Sequence, residues 1–292
     1  MAQTNTNQWT TRKLLEWMSK HFEDHSIDSP RLISEMLLTH LFGGERIDLY
    51  ANVDRIATDE ERDSLRSFVK RTVDHEPVQY IVGKTWFNGM EFNVDSSTLI
   101  PRTCTEVIVE QAIEYAQRFD TSPIRIADIG TGTGCIAITI AANIDADVTA
   151  TDISHDALAL AAKNAKQHGV TEKISFLHGD GLDPISALPH FHILCSNPPY
   201  IPNEEMEKLD KNVREWEPKL ALAGGADGLD IIRPLVQNGA NHLVSGGVLL
   251  IEIASSIKNE VLKLAMDNTL LKDAKILRDG HGDDRFLRAI KC

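Results

Sequence analysis

The stretch Ile124-Arg-Ile-Ala-Asp128-Ile129-Gly130-Thr131-Gly132-Thr133-Gly134-Cys135 decides how the rest of the chain reads. Ile124–Ile129 is a short, β-branched apolar run, as expected of a strand buried on both faces. Three glycines at alternate positions follow it, and Cys135–Asn143 then reads as a helix. Strand, glycine turn and helix in that order place a ligand at the carboxyl end of a parallel sheet, where doubly wound folds bind their cofactors.

Working outward, the pattern keeps alternating. Helix Glu106–Arg118 precedes the turn. Strand Val148–Thr151, helix Ser154–His168, and strands Ile174–His178 and Phe191–Ser196 follow it. Helix Asp230–Leu243, strand Gly247–Ile253, helix Ile257–Met266, and strands Ala274–Arg278 and Arg285–Ile290 complete the set. The expectation is an α/β, Rossmann-like sheet of seven strands over residues 104–292, its last two strands an antiparallel pair.

The first 83 residues read as a small helical bundle. Trp9–Phe22 sets Leu14, Leu15, Trp17 and Met18 on one side. Ser29-Pro30 opens a second helix, with Leu32, Ile33, Met36, Leu37 and Leu41 as its apolar face and Gly43-Gly44 as its end. Thr58 with Glu61 three residues on is a capping box for a third helix, running to about Val73. Residues 84–103 link the halves. Asn88-Gly89 between apolar-rich stretches predicts a β-hairpin there, because both turn positions need positive φ.

Composition narrows the function. The net charge is -13, which disfavours a grip on long nucleic acid backbone, where phosphate contacts dominate affinity. No apolar run approaches the roughly 18–20 residues that span a bilayer. Met1–Thr10 is polar, without the basic-then-apolar order of a signal peptide, so the expected location is cytoplasmic. The four cysteines, Cys104, Cys135, Cys195 and Cys292, are scattered, with no Cys-x-x-Cys pair, and read as free thiols. Cys195 reads as core, and Cys135 as packing more than as an activated thiol. His190 and His192 read as loop or rim positions, and no metal is expected. The four tryptophans read as bundle and linker core.

The glycine turn alone leaves two cofactor classes open, a nicotinamide dinucleotide and S-adenosylmethionine. Its G-x-G-x-G spacing departs from the G-x-G-x-x-G dinucleotide fingerprint. Asp128, two residues before Gly130, would repel a pyrophosphate and attract a methionine ammonium or sulfonium centre. Asp152, at the end of the next strand, is placed for the ribose hydroxyls, with Ile153 beside it. Asp180, before Gly181, is placed for the adenine amino group.

Strand Phe191–Ser196 ends in Asn197-Pro198-Pro199-Tyr200. Two prolines fix local φ angles and remove two N–H donors. That leaves the Asn197 side-chain oxygen and the Pro198 carbonyl as acceptors for both hydrogens of a planar NH2 group. Such a pair would align the nitrogen with a methyl–sulfur bond and compensate the charge developing on it. Tyr200 offers a ring face to a planar amide or a base. Glu252, a charge within a strand, faces the active-site end or caps a loop.

Asn-Pro-Pro-Tyr at the fourth strand with Asp128-x-Gly-x-Gly-x-Gly at the first resembles the signature of amino-group methyltransferases, those of adenine in DNA, guanine in RNA and glutamine in proteins. Glu76-Pro-Val-Gln-Tyr80-Ile-Val-Gly83, Trp86-Phe-x-Gly-Met-Glu-Phe92, Leu99-Ile-Pro101-Arg102, the run from Glu217 to Leu229 and Asp284-Arg285-Phe286 resemble the HemK family more narrowly. That family methylates the glutamine of the Gly-Gly-Gln motif in peptide chain release factors. The resemblance implies a class I methyltransferase domain using S-adenosyl-L-methionine, a helical substrate-binding domain before it, and release factors as partners of a monomeric enzyme. It carries the cofactor site onto Gly130–Gly134, Asp152, Asp180–Gly181 and Asn197. It carries the glutamine site onto Asn197, Pro198, Pro199 and Tyr200, with Pro101 and Arg102 alongside. Thr103-Cys104 stands where the family has Pro-Glu. A ribosomal-protein glutamine and a nucleic acid amino group remain alternative substrates, although no Lys/Arg-rich stripe with interleaved aromatics marks a nucleic acid reader.

Overall fold

The computed structural model describes residues 8–292, so of the polar N-terminal stretch only Gln8, Trp9 and Thr10 are described. The chain divides into two compact units. The first holds the described residues up to Gly83 together with Lys211–Trp216; the second holds Lys84–Asp210 and Glu217–Cys292.

In the first unit, α1 (Thr11–Asp24) starts where Thr10 accepts a hydrogen bond from the Lys13 amide, and it buries Leu14, Leu15, Met18 and Phe22. These recur at helical spacing and form one stripe. Trp17 falls off the stripe. It is 43% exposed and stacks on His21, with ring centroids 5.0 Å apart. α2 (Pro30–Phe42) carries Pro30 at its first position, where a missing N–H leaves nothing unpaired. Ser29 occupies the cap position with φ 51° and makes no side-chain cap, so its role is positional only. Leu37 and Leu38 are the buried residues of its apolar face, and Leu32 is exposed.

α3 (Arg46–Ala51) and α5 (Val78–Val82) have six and five residues, too short to show periodicity in a sequence. Between them α4 (Asp59–Val73) has the reciprocal Thr58–Glu61 capping box that its sequence predicts. The Trp216 indole N–H donates to the Asp74 carbonyl, 3.3 Å away.

The second unit begins with a hairpin, β1 (Lys84–Phe87) and β2 (Met90–Asn93), antiparallel across Asn88 and Gly89 at φ 49° and 74°. Thr85 and Phe87 point inward and Trp86 outward, 65% exposed, because side chains alternate along a strand. Trp9 and Trp216 are half-buried, and of the four tryptophans Trp9 packs against the bundle core as expected. The chain continues through α6 (Glu106–Ala116), β3 (Ile124–Ile129), α7 (Cys135–Asn143), β4 (Ala146–Asp152), α8 (His155–Gln167), β5 (Ile174–His178) and β6 (Phe191–Ser196). After α9 (Lys211–Arg214), which belongs to the first unit, the second unit resumes with α10 (Ile232–Asn238), β7 (Leu243–Glu252), α11 (Lys258–Asp267), β8 (Leu271–Arg278) and β9 (Asp284–Lys291). The helix expected from Asp230 to Leu243 is shorter, because the chain tightens at Gly239–His242 and Leu243 already pairs with Phe191.

The seven strands lie in the order β5-β4-β3-β6-β7-β9-β8, parallel through β7 and antiparallel at β9 and β8. Alternation along each strand builds two cores. Ile126, Ile193, Cys195, Val248 and Leu250 join one, while Ala127, Leu194, Leu249 and Ile251 join the other. Both faces are therefore covered, and polar groups collect at the strand ends. The strand order reverses at β3, flanked by β4 and β6, and a crevice opens outside their carboxyl ends there.

Candidate active site

A cavity of about 500 Å³ occupies that crevice. Gly130 and Gly132 form its floor with φ 73° and 55°, and a Cβ on either would project into open space. Glycine is thus required for the backbone course and keeps that space available to a ligand. The Gly130 and Thr131 amides donate to the Thr151 carbonyl at 2.9 and 2.8 Å, which ties the turn to the end of β4. Asp152 lies on the wall, accepting from the Gly132 amide through one oxygen and the Ser154 amide through the other, both at 2.9 Å. A carboxylate offers about four lone-pair sites, so capacity remains for a ligand hydroxyl.

Asp128 is elsewhere. It is fully buried beneath the turn and accepts from the Thr131 hydroxyl at 2.6 Å and from the Ala137 amide. Burial pushes its carboxyl up to about 6. Its carboxylate orders the loop from below and forms no part of the cavity wall, so the contact to a sulfonium or ammonium expected from sequence is replaced by a structural one.

The far wall is the corner after β6. The Asn197 side-chain NH2 donates to the Thr105 hydroxyl at 3.2 Å, and Thr105 donates onward to Glu252 at 2.7 Å. The Tyr200 hydroxyl donates to the other Glu252 oxygen at 3.2 Å. Glu252, at the end of β7, is fully buried, and burial raises its pKa against the pull of these two hydrogen bonds. Burial likewise raises the Tyr200 phenol. From the other side the Ile201–Ala223 bridge and the Gly224 amide, which donates to the Ile201 carbonyl at 2.8 Å, pin the corner. Gly224 lies so close that a Cβ would sit 2.7 Å from the Tyr200 Cα.

The cavity brings together Pro101, Gly130 to Thr133, Asp152, Ile153, Asp180, Gly181, Asn197, Pro198 and Pro199. Ile153 is 46% exposed there, an apolar surface for a flat ring. Gly134, Arg102 and Tyr200 are not on its wall. Gly134 packs between Ile138 and Ala161. The Arg102 guanidinium pairs with buried Glu217, which also accepts from the Ile100 amide, so Arg102 shapes the loop beside the cavity. Tyr200 stands behind the corner with its hydroxyl on Glu252.

Sequence reading did not single out Thr105 or Leu220, both on the wall. Their only sequence signals are a hydroxyl and an apolar residue in irregular segments. Glu252 does have one, a lone acid in an apolar strand. Cys195 is core, and Cys135 is buried with its thiol pushed up to about 12, far from a thiolate. His192 lies buried in β6, accepting from the Arg125 amide at 2.9 Å, so it is a strand residue and not a rim one.

The wall carries Asp152, Asp156 and Asp180 but no Lys, Arg or His. Such a lining suits a cationic sulfonium with an adenosine and repels a pyrophosphate. Residues 13–83 match the family model described as the PrmC N-terminal domain, and residues 112–213 match that of the methyltransferase small domain. A release factor glutamine methyltransferase of Rhodopirellula baltica is 37% identical, covering all of both chains. Relatives of the same description in Geobacter sulfurreducens and Chlorobaculum tepidum are 38% and 39% identical, each over 96% of both chains.

The chain belongs to the release factor glutamine methyltransferase family. It is an S-adenosylmethionine-dependent methyltransferase. Among solved structures, the hMettl16 catalytic domain bound to a 3'UTR hairpin shares the fold, with TM-score 0.55 and 14% identity over 82% of this chain and 84% of that one. A 16S rRNA methyltransferase of T. thermophilus in complex with AdoMet and guanosine gives TM-score 0.51 and 18% identity, over 72% of this methyltransferase and 50% of that chain.

Proposed function

We propose that this protein methylates the side-chain amide nitrogen (N5) of the glutamine in the Gly-Gly-Gln motif of peptide chain release factors, supporting translation termination in the cytoplasm. The observation that carries this reading is one cavity with the glycine turn on its floor and Asn197-Pro198-Pro199 on its wall. Asn197, Pro198, Pro199 and Tyr200 form the catalytic corner. Gly130 to Gly134, Asp152, Ile153, Asp180 and Gly181 hold the cofactor, with Asp128 supporting the turn. Pro101 and Arg102 shape the substrate side. The helical unit holds the protein substrate, and the enzyme acts as a monomer without nucleic acid or membrane.

Bound S-adenosylmethionine supplies an electrophilic methyl group on a sulfonium. The residues of this chain do the rest by positioning. An amide nitrogen is a poor nucleophile because its lone pair is delocalised. The Asn197 side-chain oxygen and the Pro198 carbonyl accept its two N–H groups and point the nitrogen along the methyl–sulfur axis. As positive charge develops on nitrogen, those fixed acceptors stabilise it more than they did the ground state. The methylated nitrogen is strongly acidic and gives its surplus proton to solvent water, so no strong base is needed. Asp152 and Asp180 take the ribose and adenine ends, and their negative charge favours the cationic cofactor over its neutral product.

The test is incubation with labelled S-adenosylmethionine and a release factor, its Gln→Ala motif variant, bare RNA and bare DNA. Label is expected on the unmodified factor alone. Label on nucleic acid with none on the factor overturns the reading.

A further inference from the structure

Glu252 lies behind Asn197, off the cavity wall, and Thr105 lies beside Asn197 on that wall; the direction of their hydrogen bonds decides what Asn197 presents. An ionised carboxylate only accepts. Glu252 receives two hydroxyls, Thr105 at 2.7 Å and Tyr200 at 3.2 Å, the arrangement of an acceptor with no proton to give. Thr105 has one hydroxyl proton and spends it on Glu252, so toward Asn197 its oxygen can only accept. The group that faces it at 3.2 Å is therefore the Asn197 NH2, and the carboxamide oxygen lies on the opposite side of the amide carbon. Without that relay the two ends of the amide are nearly the same size and could exchange. The exchanged form would aim a donor at the substrate NH2, which has two protons to place.

We infer that Thr105 and Glu252 are positioning residues that lock the Asn197 carboxamide with its oxygen toward the substrate nitrogen. The inference rests on the function proposed above for Asn197. The groups around Glu252 come from several elements. Thr105 and Cys104 lie just before α6 and Tyr200 follows β6; burial raises the Glu252 pKa, and the charges of Arg285 from β9 and of Arg102 oppose that rise and favour the carboxylate. Glu252 is fully buried at the end of an apolar strand. Burying a carboxylate is costly unless it is well hydrogen-bonded, so its presence calls for a role.

The experiment uses the full chain with isotope-labelled asparagine and bound S-adenosylmethionine, the Asn197 side-chain NH2 resonance being assigned by its loss in Asn197→Asp. Thr105→Val keeps the shape and removes the acceptor; Thr105→Ser restores the hydroxyl. Thr105→Val is expected to shift that resonance and to lower kcat on a release factor roughly tenfold to a hundredfold, the scale of a misoriented reacting partner. Cofactor Kd should stay within about twofold, and the melting temperature should fall by several degrees at most, since two hydrogen bonds are lost and one of them is buried. Thr105→Ser should recover both resonance and kcat.

Glu252→Gln, similar in size but no longer an obligatory acceptor, should move both readouts the same way by a smaller factor, roughly threefold to tenfold. An unmoved resonance and kcat in Thr105→Val overturn the inference, as does a joint loss of kcat, cofactor binding and melting temperature that Thr105→Ser fails to rescue. If the wild-type protein labels no release factor, the proposed substrate falls, while the resonance still reads whether the relay orients Asn197.

Discussion

The turn after β3 is held by bonds made between positions 128 and 154, whereas the corner after β6 is held by groups from positions 105, 224 and 252. Both line one cavity. The turn uses mostly backbone amides, with two carboxylates as anchors, and its shape follows from a contiguous stretch of chain. The corner uses prolines for stiffness but takes its polar orientation from the start of α6 and the end of β7. A local device suits binding, which asks for a surface that admits a ligand. A non-local one suits a reacting group, whose direction must be constrained by several elements at once.

Breaking each region should therefore give different kinetics. The largest effect is expected at the corner. Asn197→Ala should lower kcat by on the order of 10²–10³, the usual loss for one preorganised transition-state partner. Cofactor Kd should change less than about threefold, measured by titration calorimetry. A comparable loss in both would make Asn197 a structural residue and erase the contrast.

The next effect concerns the anchor beneath the turn. Asp128 is fully buried and raised from 3.8 to about 6 by burial. A raised folded-state pKa means the folded protein binds this proton more tightly than the unfolded chain does. The stabilisation is complete below the unfolded value and is lost as pH rises through about 6. Between about pH 4 and about pH 7 the wild type should lose ~2.4 kcal/mol relative to Asp128→Asn, which does not titrate there. Urea melts of both proteins at the two pH values check this. A difference constant to within about 1 kcal/mol would mean that the carboxylate ionises beneath the turn without penalty.

The smallest effect mirrors the first. Asp152→Asn keeps an oxygen for one of the two amides that Asp152 now receives, and should weaken the ribose contact proposed for it. Cofactor Kd should rise about tenfold, ~1.4 kcal/mol, while kcat at saturating cofactor stays within about twofold. A fall in kcat with unchanged Kd would move the acid from holding the cofactor to steering the chemistry.

How much of this was legible depended on the range of the interaction. β3, α7, β5 and β6 have the bounds that apolar runs and glycines predict, and the hairpin turns at Asn88-Gly89 as that pair requires. The Thr58–Glu61 box caps α4 for the same reason, a bond made within four residues. α3 and α5 were not legible, since neither is long enough to show a helical period. Trp17 misled because helical position, not hydrophobicity alone, decides which face of α1 is buried.

Local chemistry along the chain was sufficient to determine the alternation of strands and helices, the glycine turn and the proline-stiffened corner at Asn197-Pro198-Pro199. Tertiary structure alone decided that Asp128 lies under the turn, that Arg102 is taken up by Glu217, and that Thr105 and Glu252 meet beside Asn197. The reason is physical. Backbone conformation is set by neighbours a few residues away, but the partner of a buried polar group is whichever side chain the fold delivers to it, and here that chain separation reaches 147 residues.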